Sequence, residues 1–118
     1  MCSQFYFAVR PRTPVILNSS PSTATIQGIE GLNLILTCIS TGGYPQQTVK
    51  WYRGSVTDAN RLAENTWAAF GELFNVTSTY TFVPKNTDDG FKFFCQSSYS
   101  GDPRIEDTSN VTLTLARK

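Results

Sequence analysis

At 118 residues the chain is the length of a single domain, long enough to bury a core of its own and too short to add a lid domain to a catalytic one. Its net charge is +1 and its 10 Lys and Arg are scattered along the chain, so no basic stripe is available to a nucleic-acid backbone or an anionic membrane. No apolar run approaches the ~20 residues that span a bilayer, which argues against direct membrane insertion by this segment. With no histidine, the commonest general base is missing too.

The first ten residues, MCSQFYFAVR, lack the cationic start and small-residue cleavage site of a signal peptide, so the chain reads as an excised module of a longer protein. Residues 1–13 form a leader. They are either the last strand of a preceding domain plus its linker or the first strand of this one; residues 14–118 are the domain proper. Cys2 has no assigned partner, which leaves a link between chains, a link to a missing domain, and a free thiol all open.

Period-2 alternation, the mark of half-buried strands, then recurs along the chain. In LNLILTCIS, Leu32, Leu34, Leu36 and Cys38 share one face; in VKWYR, Val49 and Trp51 oppose Lys50 and Tyr52. In VTSTYTF, Val76, Ser78, Tyr80 and Phe82 oppose three threonines; in VTLTL, Val111, Leu113 and Leu115 oppose Thr112 and Thr114. Between residues 55 and 73 the pattern lapses, and Trp67, Ala68, Ala69 and Phe70 suit either a short strand or one helical turn. In TDDGFKFFC, alternation puts Phe91, Phe93 and Cys95 inward and Lys92 and Phe94 outward. Short strands separated by NSSPS, STGGYPQQ, PKNTDDG and SYSGDP predict an all-β antiparallel sandwich or barrel.

The carboxylates offer little chemistry. Asp88 and Asp89 are neighbours that would point to opposite sides if extended, and before a strand they are expected to hold the bend through side-chain to backbone hydrogen bonds. Asp102, Glu106 and Asp107 supply oxygens of the kind a hard cation takes, but their spacing matches no calcium loop. No catalytic residue, metal or cofactor is expected.

From about Pro14 to Leu115 the chain resembles an immunoglobulin superfamily domain: LTC is similar to the family's B strand, VKWYRG to C, STYTF to E, DDGFKFFC to F and NVTLTL to G. The resemblance implies an inter-sheet disulfide between Cys38 and Cys95 packed on a buried Trp51. Two departures stand out. Gly90 lies five positions before Cys95 rather than four, and Phe93 occupies the usual tyrosine position, so the phenolic hydroxyl of a tyrosine corner is missing. The Asp-Asp-Gly variant, with WYRG and NVTS, resembles the second immunoglobulin domains of nectin-like, synaptic-adhesion and nephrin-like cell-adhesion molecules.

Three glycosylation sequons, at Asn18, Asn75 and Asn110, add to the disulfide pattern in favouring an extracellular or cell-surface setting with N-linked glycans. The resemblance implies a recognition module for a protein partner, homophilic or heterophilic. Its C and F strands share a sheet, which would place Lys50, Tyr52, Lys92, Phe94 and Gln96 on one outer face with an aromatic pair at its centre. Two other readings stand beside it. One is a soluble immune-type domain holding a microbial or carbohydrate ligand in its B–C and F–G loops, with Tyr44 and Tyr99 as anchors; the other is a structural spacer.

Overall fold

The computed structural model describes residues 9–20, 22–99 and 106–116. Its strands in chain order are β1 (Val15–Ile16), β2 (Thr25–Ile29), β3 (Leu34–Gly43), β4 (Thr48–Arg53), β5 (Asn65–Phe70), β6 (Phe74–Phe82), β7 (Lys92–Ser98) and β8 (Glu106–Ala116). They form two four-stranded sheets, β1-β3-β6-β5 and β2-β8-β7-β4, a sandwich as the alternation predicts and immunoglobulin-like as the resemblance implies.

The core lies where that alternation converges. Leu36 and Cys38 of β3 and Val76 of β6 face Val49 and Trp51 of β4, Phe93 and Cys95 of β7, and Val111 and Leu113 of β8; Ile16 and Ile26 close it at the side. Cys38 and Cys95 are bonded across the two sheets, with their Cα atoms 6.5 Å apart. Trp51 is the cross-strand partner of Cys95, and its indole N–H donates to the Ser78 carbonyl of the opposite sheet at 3.1 Å. Ser78 in turn pairs with Cys38, so disulfide and indole join the sheets at the same level.

Phe93, which replaces the corner tyrosine, is fully buried with its ring 5.4 Å from that of Phe82. The two neighbouring aspartates hold the bend instead. One Asp88 oxygen accepts from the Lys85 N–H at 2.8 Å and the other from the Arg53 guanidinium at 2.8 Å; the Asp89 carboxylate accepts from the Leu115 N–H at 2.9 Å. Asp88 thus ties the turn before β7 to β4, and Asp89 ties it to β8. Gly90 follows at φ 84, in the left-handed region that glycine enters without a Cβ penalty.

In the fold itself the structure departs from the sequence reading in three places. The chain leaves the first sheet after β1 and enters the second alongside β8 in the same direction, so β2 and β8 pair in parallel and the sandwich is not purely antiparallel. Phe91 precedes β7 and is part-exposed, with the Arg53 guanidinium 3.8 Å above its ring, so it is not a core residue. Leu32 likewise precedes β3 and is exposed. Of the two forms open to Trp67–Phe70 the structure takes the strand, β5, and a 3-10 turn stands earlier in the irregular stretch, at Asp58–Asn60.

Of the leader, residues 9–13 are described. Val9 bridges to Tyr44, and the Arg12 N–H donates to the Thr41 carbonyl at 2.8 Å, so this stretch continues along the free edge of β3 beyond β1. Residues 1–8, Cys2 among them, lie outside the described residues.

Candidate recognition surface

The outer face of β4, β7 and β8 brings the anticipated set together. Lys50 is opposite Gln96 and Tyr52 opposite Phe94 on β4 and β7, and Phe94 is opposite Asn110 on β8. Lys92 is exposed, whereas Lys50, Phe94 and Gln96 are half-buried. The Gln96 side-chain amide donates to Thr108 of β8 at 3.3 Å. An open depression of about 500 Å³ lies on this face, lined by Lys50, Tyr52, Gln96, Ser98 and Glu106 and by Val56 to Asp58 of the segment after β4.

Tyr52 departs from the expectation in one respect. It faces away from the core, as alternation requires, yet only 5% of it is exposed. The chain after β4 folds back over it: Arg61 bridges to Tyr52, and the Leu62 N–H donates to the Trp51 carbonyl at 2.9 Å. Burial pushes the Tyr52 phenol above the ordinary tyrosine value, and the nearby Arg61 charge partly offsets that shift. Tyr52 therefore forms the floor of the depression, and Phe94 remains as the accessible aromatic.

The loop end is different again. Tyr99 is 6% exposed and has no free ring to offer a ligand. Tyr44 packs with Phe70 and Phe74, its ring centroid 6.3 and 6.2 Å from theirs, and Phe70 is 59% exposed. Residues 100–105, which include Asp102, lie outside the described residues. Of the other two acids considered for a cation, Asp107 binds the Arg10 guanidinium at 3.0 Å, and Glu106 accepts from the Ser98 hydroxyl at 3.4 Å.

The three sequons fall on separate parts of the surface. Asn18 is exposed in the turn after β1 at φ 61, a conformation asparagine tolerates better than most residues. Asn110 projects from β8 beside Phe94, and Asn75 projects from β6 on the opposite side of the sandwich. Sequence reasoning missed the polar segment over Tyr52, because a cover without periodicity leaves no pattern. It also gave no role to Trp67, which is 56% exposed on β5.

Comparison with known proteins agrees with this geometry. The model of a CD80-like C2-set immunoglobulin domain matches residues 16–104. Cell adhesion molecule 2 of Xenopus tropicalis is 27% identical over 115 residues, which takes in 88% of this chain and 26% of that protein's length. Among solved structures, Rst D1-D2 matches with a TM-score of 0.75 at 21% identity, over 90% of this chain and 49% of the other. The Ig1-Ig3 ectodomain of mouse nectin-like molecule 4 matches with 0.74 at 22%, over 91% and 34%.

Proposed function

The chain belongs to the CD80-like C2-set immunoglobulin domain family, and from that premise we propose that it is an extracellular, non-catalytic recognition module of a cell-surface adhesion protein. Its relative named as a cell adhesion molecule supports the setting. The observation that carries the choice of surface is the depression over β4 and β7: Lys50, Gln96 and Glu106 surround it, Phe94 lies across from its Tyr52 floor, and the buried tyrosine beneath holds its shape. A half-exposed aromatic beside paired polar groups of both signs is the composition a protein partner meets at a contact centre. On this reading N-linked glycans occupy Asn18, Asn75 and Asn110, and the Asn110 glycan bounds the contact on the β8 side of Phe94.

The loop-end reading keeps one supporting observation, the exposed Phe70 beside Tyr44. Without Tyr99 it has lost one of its two anchors. A spacer role needs no accessible aromatic at all.

Sedimentation velocity on the glycosylated domain over a wide concentration range, with Phe94→Ser beside it, tests the proposal. Reversible self-association lost in the variant establishes homophilic contact through this face. A monomer in both, with binding to cells lost only in the variant, establishes a heterophilic partner. Binding that Phe94→Ser leaves untouched would move the site to the loop end.

A further inference from the structure

The outer face of the other sheet carries an aromatic that nothing so far employs. Trp67 lies on β5, the edge strand, opposite Thr77 of β6; the next pair on the same outer face is Ala69 with Asn75. Val76 between them is fully buried, so Asn75 and Thr77 both face out, and Asn75 is a diagonal cross-strand neighbour of Trp67. Diagonal neighbours lie roughly 7–8 Å apart, within reach of an indole and a group attached to the asparagine.

The orientation of the Asn75 amide adds a second, independent constraint. Its Oδ1 accepts from the Gly42 N–H of β3 at 3.2 Å. That contact turns the oxygen to the β3 side, and Nδ2, the other branch of the planar amide, takes no part in it. Nδ2 is the atom that a glycan uses. In transfer, a bond forms from Nδ2 to C1 of N-acetylglucosamine while the bond from C1 to a lipid-linked pyrophosphate breaks; the pyrophosphate keeps the electron pair and Nδ2 loses a proton.

We infer that Asn75 carries an N-linked glycan whose first sugar rests on the indole of Trp67. This rests on the extracellular reading above. The C–H face of a pyranose is apolar and faintly positive, and the indole face is negative, so the two are complementary. The edge strand supplies the reason for such a cover. From Asn65 to Phe70, β5 is exposed throughout and holds no charged residue and no proline, the usual protections against pairing with a second chain. The glycan stands beside that unguarded edge and serves as its protection.

The test uses the domain secreted from a eukaryotic host, as the wild type and as Trp67→Ala. One portion of each is left intact, one is trimmed by an endoglycosidase to the first sugar, and one is fully deglycosylated. Mass mapping comes first. A glycan on Asn75 is expected; glycans on Asn18 or Asn110 with none on Asn75 would overturn this inference and leave the extracellular reading standing, whereas bare asparagines at all three would overturn both. Acrylamide quenching of wild-type fluorescence then reports Trp67, since Trp51 is inaccessible. Quenching is expected to be low in the intact and trimmed forms and to rise on full deglycosylation, with the melting temperature falling by about 3 °C. Trp67→Ala should melt at the same temperature with and without sugar. Equal quenching in all three forms, or a glycan effect on melting that survives Trp67→Ala, would overturn the contact.

Discussion

Tyr52 and Trp67 are both aromatic residues that face away from the core, one on each sheet, and only Trp67 meets solvent. Tyr52 lies on β4 beneath the returning segment at Arg61, whereas Trp67 lies on an edge strand and is 56% exposed among the described residues. Their difference teaches that strand parity sets the direction of a side chain, and the chain that follows sets its exposure. The same rule separates the two outer faces. One has a walled depression over a rigid floor, and the other has an open apolar edge.

The predictions run from the shared core outward. Replacing both bridge cysteines, as Cys38→Ala with Cys95→Ala, should cost about 4 kcal/mol in urea unfolding, the chain-entropy value for a loop of this length. A negligible change would show that neither face depends on the bridge beneath it. Tyr52→Ala should cost about 3 kcal/mol, the loss typical of a buried aromatic. Trp67→Ala in unglycosylated protein should stay within about 0.5 kcal/mol. Equal losses at the two sites would erase the distinction drawn here.

An effect between those of Tyr52 and Trp67 is expected at the bend before β7. Asp89→Ala should cost about 2 kcal/mol, since it strips a charged acceptor from the Leu115 N–H. A loss under half of that would mean that water replaces the contact freely.

The covered tyrosine also has a pH signature. Its folded-state pKa is raised by burial, so the unfolded chain gives up the phenolic proton first. The stability due to neutral Tyr52 is therefore fully present below about pH 10 and is lost as pH rises through the folded value. Thermal melts from pH 9 to 11 should fall more steeply for the wild type than for Tyr52→Phe. Parallel curves would show that the phenol is not held in a desolvated site.

At Phe94 the effect on stability is expected to be small as well. Phe94→Ser should change stability by less than about 1 kcal/mol while removing partner binding, because its ring is half-buried on the outer face and absent from the core.

Much of the interior could be read from residue order alone. Leu36, Cys38, Trp51, Val76, Phe93, Cys95 and Val111 all take the inward positions of a period-2 pattern, and each is buried where that pattern puts it. The bend was legible as well, since two adjacent aspartates before a glycine have few uses other than capping a turn. The parallel pairing of β2 with β8 was not, because strand direction depends on where the chain crosses between sheets. Tyr99 was within reach of the same pattern, since one position past β7 it keeps the parity of Phe93, Cys95 and Ser97 and is buried with them; assigning it to the loop end set that parity aside. The cover over Tyr52 was hidden: Val56 to Leu62 fold back through a 3-10 turn, a path that no periodicity encodes.

The central functional claim is that a partner docks on the outer face of β4 and β7. A photo-cross-linking residue placed at Phe94, and in a separate protein at Thr79 on the outer face of β6, tests it most directly when each glycosylated domain is applied to cells that bind it. The account predicts a covalent adduct from position 94 and none from position 79. Adducts from position 79 alone would contradict it and place recognition on the opposite sheet.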